Sequence, residues 1–132
     1  MANKQKGSAA ERELIHMFWK TGKWTACRVA GSGSMRYPSP DIIANKNGIN
    51  LAIECKKTSK NRQYFDAKEI ESLLEYSKLA GARALVAIKF PKQPWKFLDA
   101  SELLRTCENY VATKDLLELK GLEFRELVGE RV

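Results

Sequence analysis

The stretch that decides the fold runs from residue 40 to residue 56 and reads PDIIANKNGINLAIECK. Two apolar segments in it, 42–44 and 49–53, flank the dipeptide Asn47-Gly48. Asn-Gly between two strand-forming segments is the strongest short-range signal for a β-hairpin with a two-residue turn. We therefore predict two antiparallel strands joined at Asn47-Gly48.

This predicted hairpin brings two carboxylates together. With a two-residue turn, Lys46 pairs with Ile49, and the same register sets Asp41 directly opposite Glu54. A four-residue turn would set Asp41 opposite Ala52 and still leave both carboxylates on one face, whereas an odd-length loop would separate them. Opposed side chains are about 5 Å apart, where like charges repel, so the pair calls for a cation between them.

The positive charge of the chain is confined to its first half. Residues 1–62 contain 12 Lys or Arg and 4 Asp or Glu, whereas residues 63–132 contain 11 and 12. A basic half predicts a polyanionic partner such as nucleic acid. The four acids in that half are Glu11, Glu13, Asp41 and Glu54, so two of them are the carboxylates that the hairpin brings together.

Lys56 follows Glu54 by two residues and therefore shares its face of the strand, while Leu51 and Ile53 face the core. Phosphodiester hydrolysis needs a hydroxide, an electrophile and charge stabilisation. Mg²⁺ held by carboxylates supplies these, with Lys56 orienting or activating water or stabilising the transition state. The simpler alternative is a turn residue at Asp41 and a surface pair of Glu54 and Lys56, but the joint pattern inside a basic half favours the catalytic hypothesis.

Composition excludes several classes of protein. No apolar run approaches a membrane span, and the polar, basic N-terminus is followed by no apolar segment, so neither a membrane protein nor a secreted one is predicted. Cys27, Cys55 and Cys107 lack a CxxC spacing, which argues against disulfides and a cysteine-rich zinc site. We expect a cytoplasmic, DNA-associated protein with no small-molecule cofactor.

The order of the predicted elements indicates one α/β domain over residues 1–132, with a central mixed β-sheet flanked by helices. Residues 1–7 are expected to be a flexible N-terminus, and the Gly/Ser/Pro-rich residues 30–40 to be a mobile loop within the domain. Beside the hairpin, the predicted elements are helices over 8–20, 66–80, 114–119 and 123–128, a short helical turn over 101–104, and strands over 23–30, 84–90 and 95–98. The helix over 66–80 has the clearest end signals, a capping pattern at Asp66 to Glu69 and Gly81 as C-cap.

Pro40-Asp41 followed by Glu54-x-Lys56 resembles the signature of the PD-(D/E)xK nucleases. Together with KGSAAEREL at residues 6–14 and RVAGS at residues 28–32, the sequence resembles the archaeal Holliday junction resolvases of the Hjc type over roughly residues 6–98. This resemblance implies a restriction-endonuclease-like fold. It also implies a homodimer that nicks four-way DNA junctions symmetrically, in recombination and repair, with Mg²⁺ as cofactor, for which Mn²⁺ is expected to substitute.

By position, the resemblance implies four catalytic residues: Glu11, Asp41, Glu54 and Lys56. The three carboxylates would hold the metal. Glu11 has an alternative role, because Ser8 to Glu11 also has the capping-box pattern, in which Glu11 only closes the N-terminus of the first helix. Its helical spacing to Leu14 turns Glu11 inward and, with the resemblance, favours the catalytic role.

A second set of residues is expected to bind DNA. The resemblance implies that Arg12, Arg28 and Ser34 contact or position DNA, and Ser32 is a near-equivalent neighbour of Ser34. A basic cluster after the catalytic strand is placed to follow the phosphates, and consists of Lys57, Lys60 and Arg62.

Two other functions stay open on the sequence. One is a PD-(D/E)xK endonuclease that acts on linear or flapped duplex, and the other is a non-catalytic DNA-binding module. Intact Asp41, Glu54 and Lys56 argue against the module. Nothing in the sequence resembles a base-reading helix, so we predict recognition of DNA shape rather than of base sequence.

Overall fold

The structure, a computed structural model, describes residues 2–30 and 36–129, with side chains from residue 9 onward. Its elements are α1 (Ala2–Lys20), β1 (Thr25–Arg28), β2 (Ile42–Lys46), β3 (Ile49–Lys57), β4 (Arg62–Asp66), α2 (Ala67–Ala80), β5 (Arg83–Lys89), β6 (Lys96–Asp99), a 3₁₀ turn (Ala100–Glu102), β7 (Leu104–Arg105), β8 (Asn109–Thr113), α3 (Lys114–Lys120), β9 (Leu122–Glu123) and α4 (Phe124–Leu127). Within the described ranges, no helix is both long and apolar enough to cross a membrane.

The hairpin at Asn47-Gly48 is confirmed. β2 and β3 are antiparallel, and Lys46 pairs with Ile49 next to the turn, as predicted. Both turn residues have positive φ angles, 39° at Asn47 and 87° at Gly48. A two-residue turn of this kind matches the right-handed twist of the two strands, which is why Asn and Gly are favoured in it.

Six strands form the central sheet, in the order β1-β2-β3-β5-β6-β9. β3 and β5 are parallel, and the other neighbours are antiparallel. The chain between β3 and β5 contains α2, because parallel strands need a long crossover connection. The predicted mixed sheet flanked by helices is therefore confirmed.

A second sheet of three strands, in the order β4-β8-β7, was not predicted. Arg62, predicted to belong to a basic cluster after the catalytic strand, is the first residue of β4 and pairs with Thr113 of β8. β4 and β8 have five residues each, and they are far apart in the sequence. No local turn signal links them, so their pairing is decided by tertiary contacts.

Side chains are buried on both faces of the central sheet. One core cluster contains Leu14 of α1, and the other contains Ile70 of α2. Ala52 and Ile53 are adjacent in β3, both are fully buried, and they belong to opposite clusters. Leu51 and Ile53 face the core as predicted, but the face of Glu54 and Lys56 is also buried at Ala52, so it is charged only near the carboxyl end of β3.

The first helix begins at Ala2 rather than near Ser8, so the predicted start is wrong. Because the helix passes through Ser8, a capping box of Ser8 and Glu11 is excluded, since that motif requires Ser8 at the helix end. The flexibility expected for residues 1–7 stays a prediction. Of the loop predicted to be mobile, residues 31–35 lie outside the described residues.

The second helix has the predicted ends. Asp66 is its N-cap, the backbone N–H of Asp66 donates to Oε1 of Glu69 at 3.3 Å, and Gly81 closes the helix with a φ of 67°. Ile70 and Leu73 are buried against the sheet. This packing fixes the first turn of α2 over the face of β3 that carries Glu54 and Lys56.

The hairpin turn provides a test of the register. We expect Gly48→Ala to lower the free energy of unfolding by about 1 kcal/mol, because a Cβ is disfavoured at positive φ even though nothing lies within 4 Å of it. Thermal melting should show a Tm lower by roughly 3–5 °C. The matched control, Gly48→Asn, should lose much less because Asn tolerates this conformation. Equal Tm values for wild type and Gly48→Ala would contradict the turn geometry.

Candidate active site

The candidate site lies where the ladder between β2 and β3 ends. The last paired residues are Ile42 and Ile53, so Asp41 lies one residue beyond the ladder. The Asp41 N–H donates to the carbonyl oxygen of Ile53 at 3.1 Å, and the Asp41 carbonyl accepts the N–H of Val29 at 2.9 Å. The predicted direct pairing of Asp41 with Glu54 is therefore not formed. Asp41 instead bonds to Ile53, one residue out of register, and we refer to this irregularity as the slip at Asp41.

Despite this slip, the two carboxylates interact. Oδ2 of Asp41 accepts the backbone N–H of Cys55 at 3.0 Å, which ties the carboxylate to the strand that carries Glu54. Burial, the charge of Asp41 and contact with Glu69 raise the pKa of Glu54 to about 10. Ionised Glu54 is therefore strongly unfavourable unless a cation lies beside it.

Glu11 reaches the site from α1. Nε of Arg28 donates to its Oε2 at 2.5 Å, and the Glu11 side chain is only 15% exposed. Burial raises the pKa of Glu11, Arg28 opposes this effect, and the charge of Asp41 adds to it. The structure thus brings Glu11 toward Asp41, and it pairs Arg28, a predicted DNA contact, with Glu11.

Lys56 projects from the same face of β3 as Glu54. Its Nζ lies 3.0 Å from Oε2 of Glu69, which is in the first turn of α2. Burial works against the charged lysine, but Glu69, Glu54 and Asp41 outweigh it and raise the pKa of Lys56. Lys56 therefore stays protonated at neutral pH, which favours an electrostatic role over that of a general base.

Glu69 is the residue that sequence reasoning missed. Its spacing from Asp66 predicts only a helix cap, and the structure confirms that role. Burial favours neutral Glu69, but a hydrogen bond with Glu54 and the Lys56 ammonium lower its pKa. Of the two carboxyl groups, Glu54 therefore carries the proton and Glu69 is ionised. No periodicity in the sequence could show that the first turn of α2 meets the end of β3.

The oxygen ligands fit a divalent cation held mainly by Asp41 and Glu54. Mg²⁺ prefers carboxylate oxygens, needs only one or two of them and keeps several waters. Buried, mutually repelling carboxylates are the environment that such a cation would stabilise. Among residues 9–30 and 36–129, no three His, Cys, Asp or Glu side chains are grouped to hold one ion. Glu11, which is paired with Arg28, stays a predicted third ligand.

Comparisons with known proteins identify the family. The sequence model described as archaeal Holliday junction resolvase (Hjc) matches residues 2–132. The chain belongs to the archaeal Holliday junction resolvase family. The resemblance predicted from the sequence is therefore confirmed.

Two curated relatives of this resolvase family illustrate the similarity. The crossover junction endodeoxyribonuclease Hjc of Archaeoglobus fulgidus is 39% identical over 127 residues, which cover 96% of this chain and 92% of the relative. The crossover junction endodeoxyribonuclease Hje of Saccharolobus solfataricus is 32% identical over 96% of this chain and 97% of the relative. The predicted enzyme class, an endonuclease, is supported by these names.

A solved resolvase structure gives the same result for the fold. The crystal structure of Hjc from Archaeoglobus fulgidus superposes with a TM-score of 0.87 at 37% identity, over 96% of this chain and 98% of that one. The predicted restriction-endonuclease-like fold is confirmed.

The residues predicted to contact DNA in this resolvase-family chain lie partly within the described residues. Arg12 is exposed on α1, next to Glu11. The basic cluster of Lys57, Lys60 and Arg62 is also exposed, and Nη1 of Arg62 donates to the Tyr64 hydroxyl at 3.4 Å. Ser32 and Ser34 lie outside the described residues. Binding of DNA by each of these residues stays a prediction.

The raised pKa of Glu54 predicts how metal-free stability depends on pH. Between its ordinary value of 4.5 and about 10, folded Glu54 keeps a proton that unfolded Glu54 releases. The free energy of unfolding in EDTA should therefore fall as pH rises from 5 to 9, by at least about 1 kcal/mol. Glu54→Gln should flatten this slope, as measured by urea unfolding.

Glu75→Gln is the control for this experiment, because Glu75 is exposed on α2 and its loss should leave the slope unchanged. Parallel stability curves for wild type and Glu54→Gln would contradict the buried carboxylate pair.

Proposed function

We propose that this chain resolves four-way DNA junctions by paired, symmetrical, metal-dependent hydrolysis of phosphodiester bonds, in homologous recombination and repair. The observation that carries the proposal is the meeting of Asp41, Glu54 and a protonated Lys56 at one end of the hairpin, in a chain of the resolvase family. Relatives with similar sequences over nearly the whole chain are named crossover junction endodeoxyribonucleases. An intracellular location is part of this proposal.

Asp41 and Glu54 would hold Mg²⁺, with Mn²⁺ as a substitute. When bound, Mg²⁺ supplies a water of lowered pKa and polarises a phosphate oxygen. Asp41 is suited to this because Cys55 and the neighbouring backbone fix its position. Glu54 is suited because it lies largely buried, where a carboxylate binds a cation with little competition from solvent. Glu11 would become a third ligand when a bond to the metal replaces its ion pair with Arg28.

Lys56 would act as a fixed positive charge. Hydrolysis of a phosphodiester builds negative charge on the phosphate oxygens, and a cation already in place stabilises it without reorganisation. The ammonium of Lys56 is held in place by Glu69 at 3.0 Å. An orienting contact with the attacking water is compatible with the same position.

DNA binding would depend on backbone charges and shape. Exposed basic side chains lie on α1 and from the end of β3 to the start of β4, namely Arg12, Lys57, Lys60 and Arg62, and Ser32 and Ser34 would add phosphate contacts. Contacts to phosphates fix register but carry no sequence information. Affinity for any DNA should therefore weaken steeply with salt, because phosphate neutralisation releases counterions.

A homodimer would give the two nicks that resolution requires. One chain of 15.0 kDa forms a single domain with one candidate site, so it can cut one strand at a time. A two-fold dimer matches the two-fold symmetry of a four-way junction. The proposal is thus one site in each subunit, facing equivalent strands.

The substrate assay tests the proposed function directly. Wild-type protein in Mg²⁺ should nick a four-way junction much faster than a linear duplex or a flap, and EDTA should abolish nicking. Asp41→Asn should lower the rate at least about 100-fold, because it removes a metal ligand and with it several kcal/mol of transition-state stabilisation. Junction affinity in a gel-shift assay should be retained.

Asp115→Asn is the matched control, since Asp115 is exposed on α3 and should not affect nicking. Equal rates on junction and linear duplex would favour a general nuclease. Tight binding without any metal-dependent nicking by wild type would favour a DNA-binding module.

The dimer is tested by sedimentation and by product analysis. At micromolar concentration the protein should sediment at about twice the 15.0 kDa mass of one chain. On a supercoiled plasmid with an extruded cruciform, paired nicks should give linear product directly. A monomer that leaves only nicked circles would overturn the paired-cut proposal.

A further inference from the structure

We propose that Glu69 is a positioning residue for strand cleavage, which holds the Lys56 ammonium at the site from the first turn of α2. This inference rests on the proposed function, because it assigns Glu69 a role in that same reaction. Glu69 is absent from the nuclease signature that marks Asp41, Glu54 and Lys56.

The contact that carries the inference is an ion pair between two elements. Nζ of Lys56 in β3 lies 3.0 Å from Oε2 of Glu69 in α2. The two side chains are 33% and 31% exposed, so each is held partly within the protein. A lysine has many rotamers, and fixing its ammonium costs side-chain entropy that this partner offsets.

The other oxygen of Glu69 is anchored to the backbone. Oε1 accepts the N–H of Asp66 at 3.3 Å, as part of the capping box of α2. The helix itself is fixed to the sheet by buried Ile70 and Leu73. The carboxylate is therefore held at both oxygens, and its orientation toward Lys56 is determined by the packing of α2.

A capping role alone does not account for this geometry. The cap uses Oε1 and would be equally satisfied by a glutamine, whereas Oε2 is directed at Lys56. Exposed ion pairs add little stability, typically below about 1 kcal/mol, so stability is not the main consequence of this contact. Its consequence is a defined position for Lys56, the basic residue of the nuclease signature.

Glu69 also gives the ammonium a partner outside the metal-binding pair. The charges of Glu54 and Asp41 act on Lys56, so all three carboxylates attract it. A Lys56 side chain that moved fully onto Glu54 or Asp41 would compete with a divalent cation for the same oxygens. The ion pair with Glu69 keeps Lys56 beside those oxygens rather than on them.

Glu69→Gln separates the helix-capping role of this residue from the contacts that its charged carboxylate makes with Lys56 and Glu54. Its amide oxygen still accepts the Asp66 N–H, so the cap is retained, while the charge that holds Lys56 is lost. In single-turnover cleavage of a four-way junction with saturating enzyme, we expect the rate to fall about 10- to 100-fold. Junction Kd should stay within about twofold, and Tm within a few degrees.

Two control variants exclude simpler causes. Glu71→Gln removes an exposed acid from the same helix and should cleave at the wild-type rate. Asp66→Ala removes the N-cap side chain but leaves Glu69, so it should lower Tm by a few degrees without the rate loss. A rate loss in Asp66→Ala as large as in Glu69→Gln would make Glu69 a purely structural residue.

A double variant tests whether Glu69 acts through Lys56. In the Lys56→Met background, adding Glu69→Gln should leave the residual rate unchanged, because the positioned group is already absent. An additive further loss would overturn the proposal, as would full recovery of Glu69→Gln at high Mg²⁺, which would indicate action through the metal.

If wild type fails to nick junctions, the proposed function itself fails. Wild-type rates in Glu69→Gln, beside active wild type, would overturn the Glu69 proposal alone.

Discussion

The position of β3 at the centre of the six-stranded sheet is the constraint on which the rest of the structure depends. β3 is paired on one side with β2, its hairpin partner, and on the other with the parallel strand β5, while α1 and α2 cover its two faces. Ala52 and Ile53 pack into opposite core clusters, so a one-residue shift of β3 would exchange a small and a large side chain between two close-packed cores. The same register therefore determines where Glu54 and Lys56 emerge at its carboxyl end.

Charge is concentrated at this end in a way that favours catalysis over stability. Asp41 and Glu54 repel each other, and burial makes the ionised form of Glu54 costly. Two ion pairs flank them, one between Arg28 and Glu11 and the other between Lys56 and Glu69. Each uses an acid from one of the helices that cover the sheet, so both layers of the fold contribute to the site.

Such an arrangement is expected where a cation and a phosphate are to be bound. In the free protein the carboxylates are partly neutralised by protons and by basic side chains, which a metal ion and DNA would replace. Rules based on stability, such as the avoidance of buried like charges, are often broken at functional sites, because residues there are selected for what they bind. The slip of the chain at Asp41 is a further example, because regular pairing would have continued through that residue.

The sequence by itself determined the features that depend on neighbouring residues. Asn47-Gly48 determined the hairpin, alternation along residues 49–56 put Glu54 and Lys56 on one face, and Asp66 and Gly81 marked the ends of α2. These signals are local, because turn geometry and strand alternation act over a few residues. The family resemblance likewise depends on short segments, at residues 6–14, 28–32, 40–41 and 54–56.

Tertiary structure alone decided what depends on distant residues meeting. The pairing of β4 with β8, the burial of both faces of β3, and the contacts of Arg28 with Glu11 and of Glu69 with Lys56 all join elements that no local pattern connects. Their physical basis is the packing of apolar surfaces, which brings helices and strands together irrespective of their separation in the chain. For that reason the sequence predicts Glu69 only as a helix cap, whereas in the folded chain its second oxygen, Oε2, forms an ion pair with Lys56.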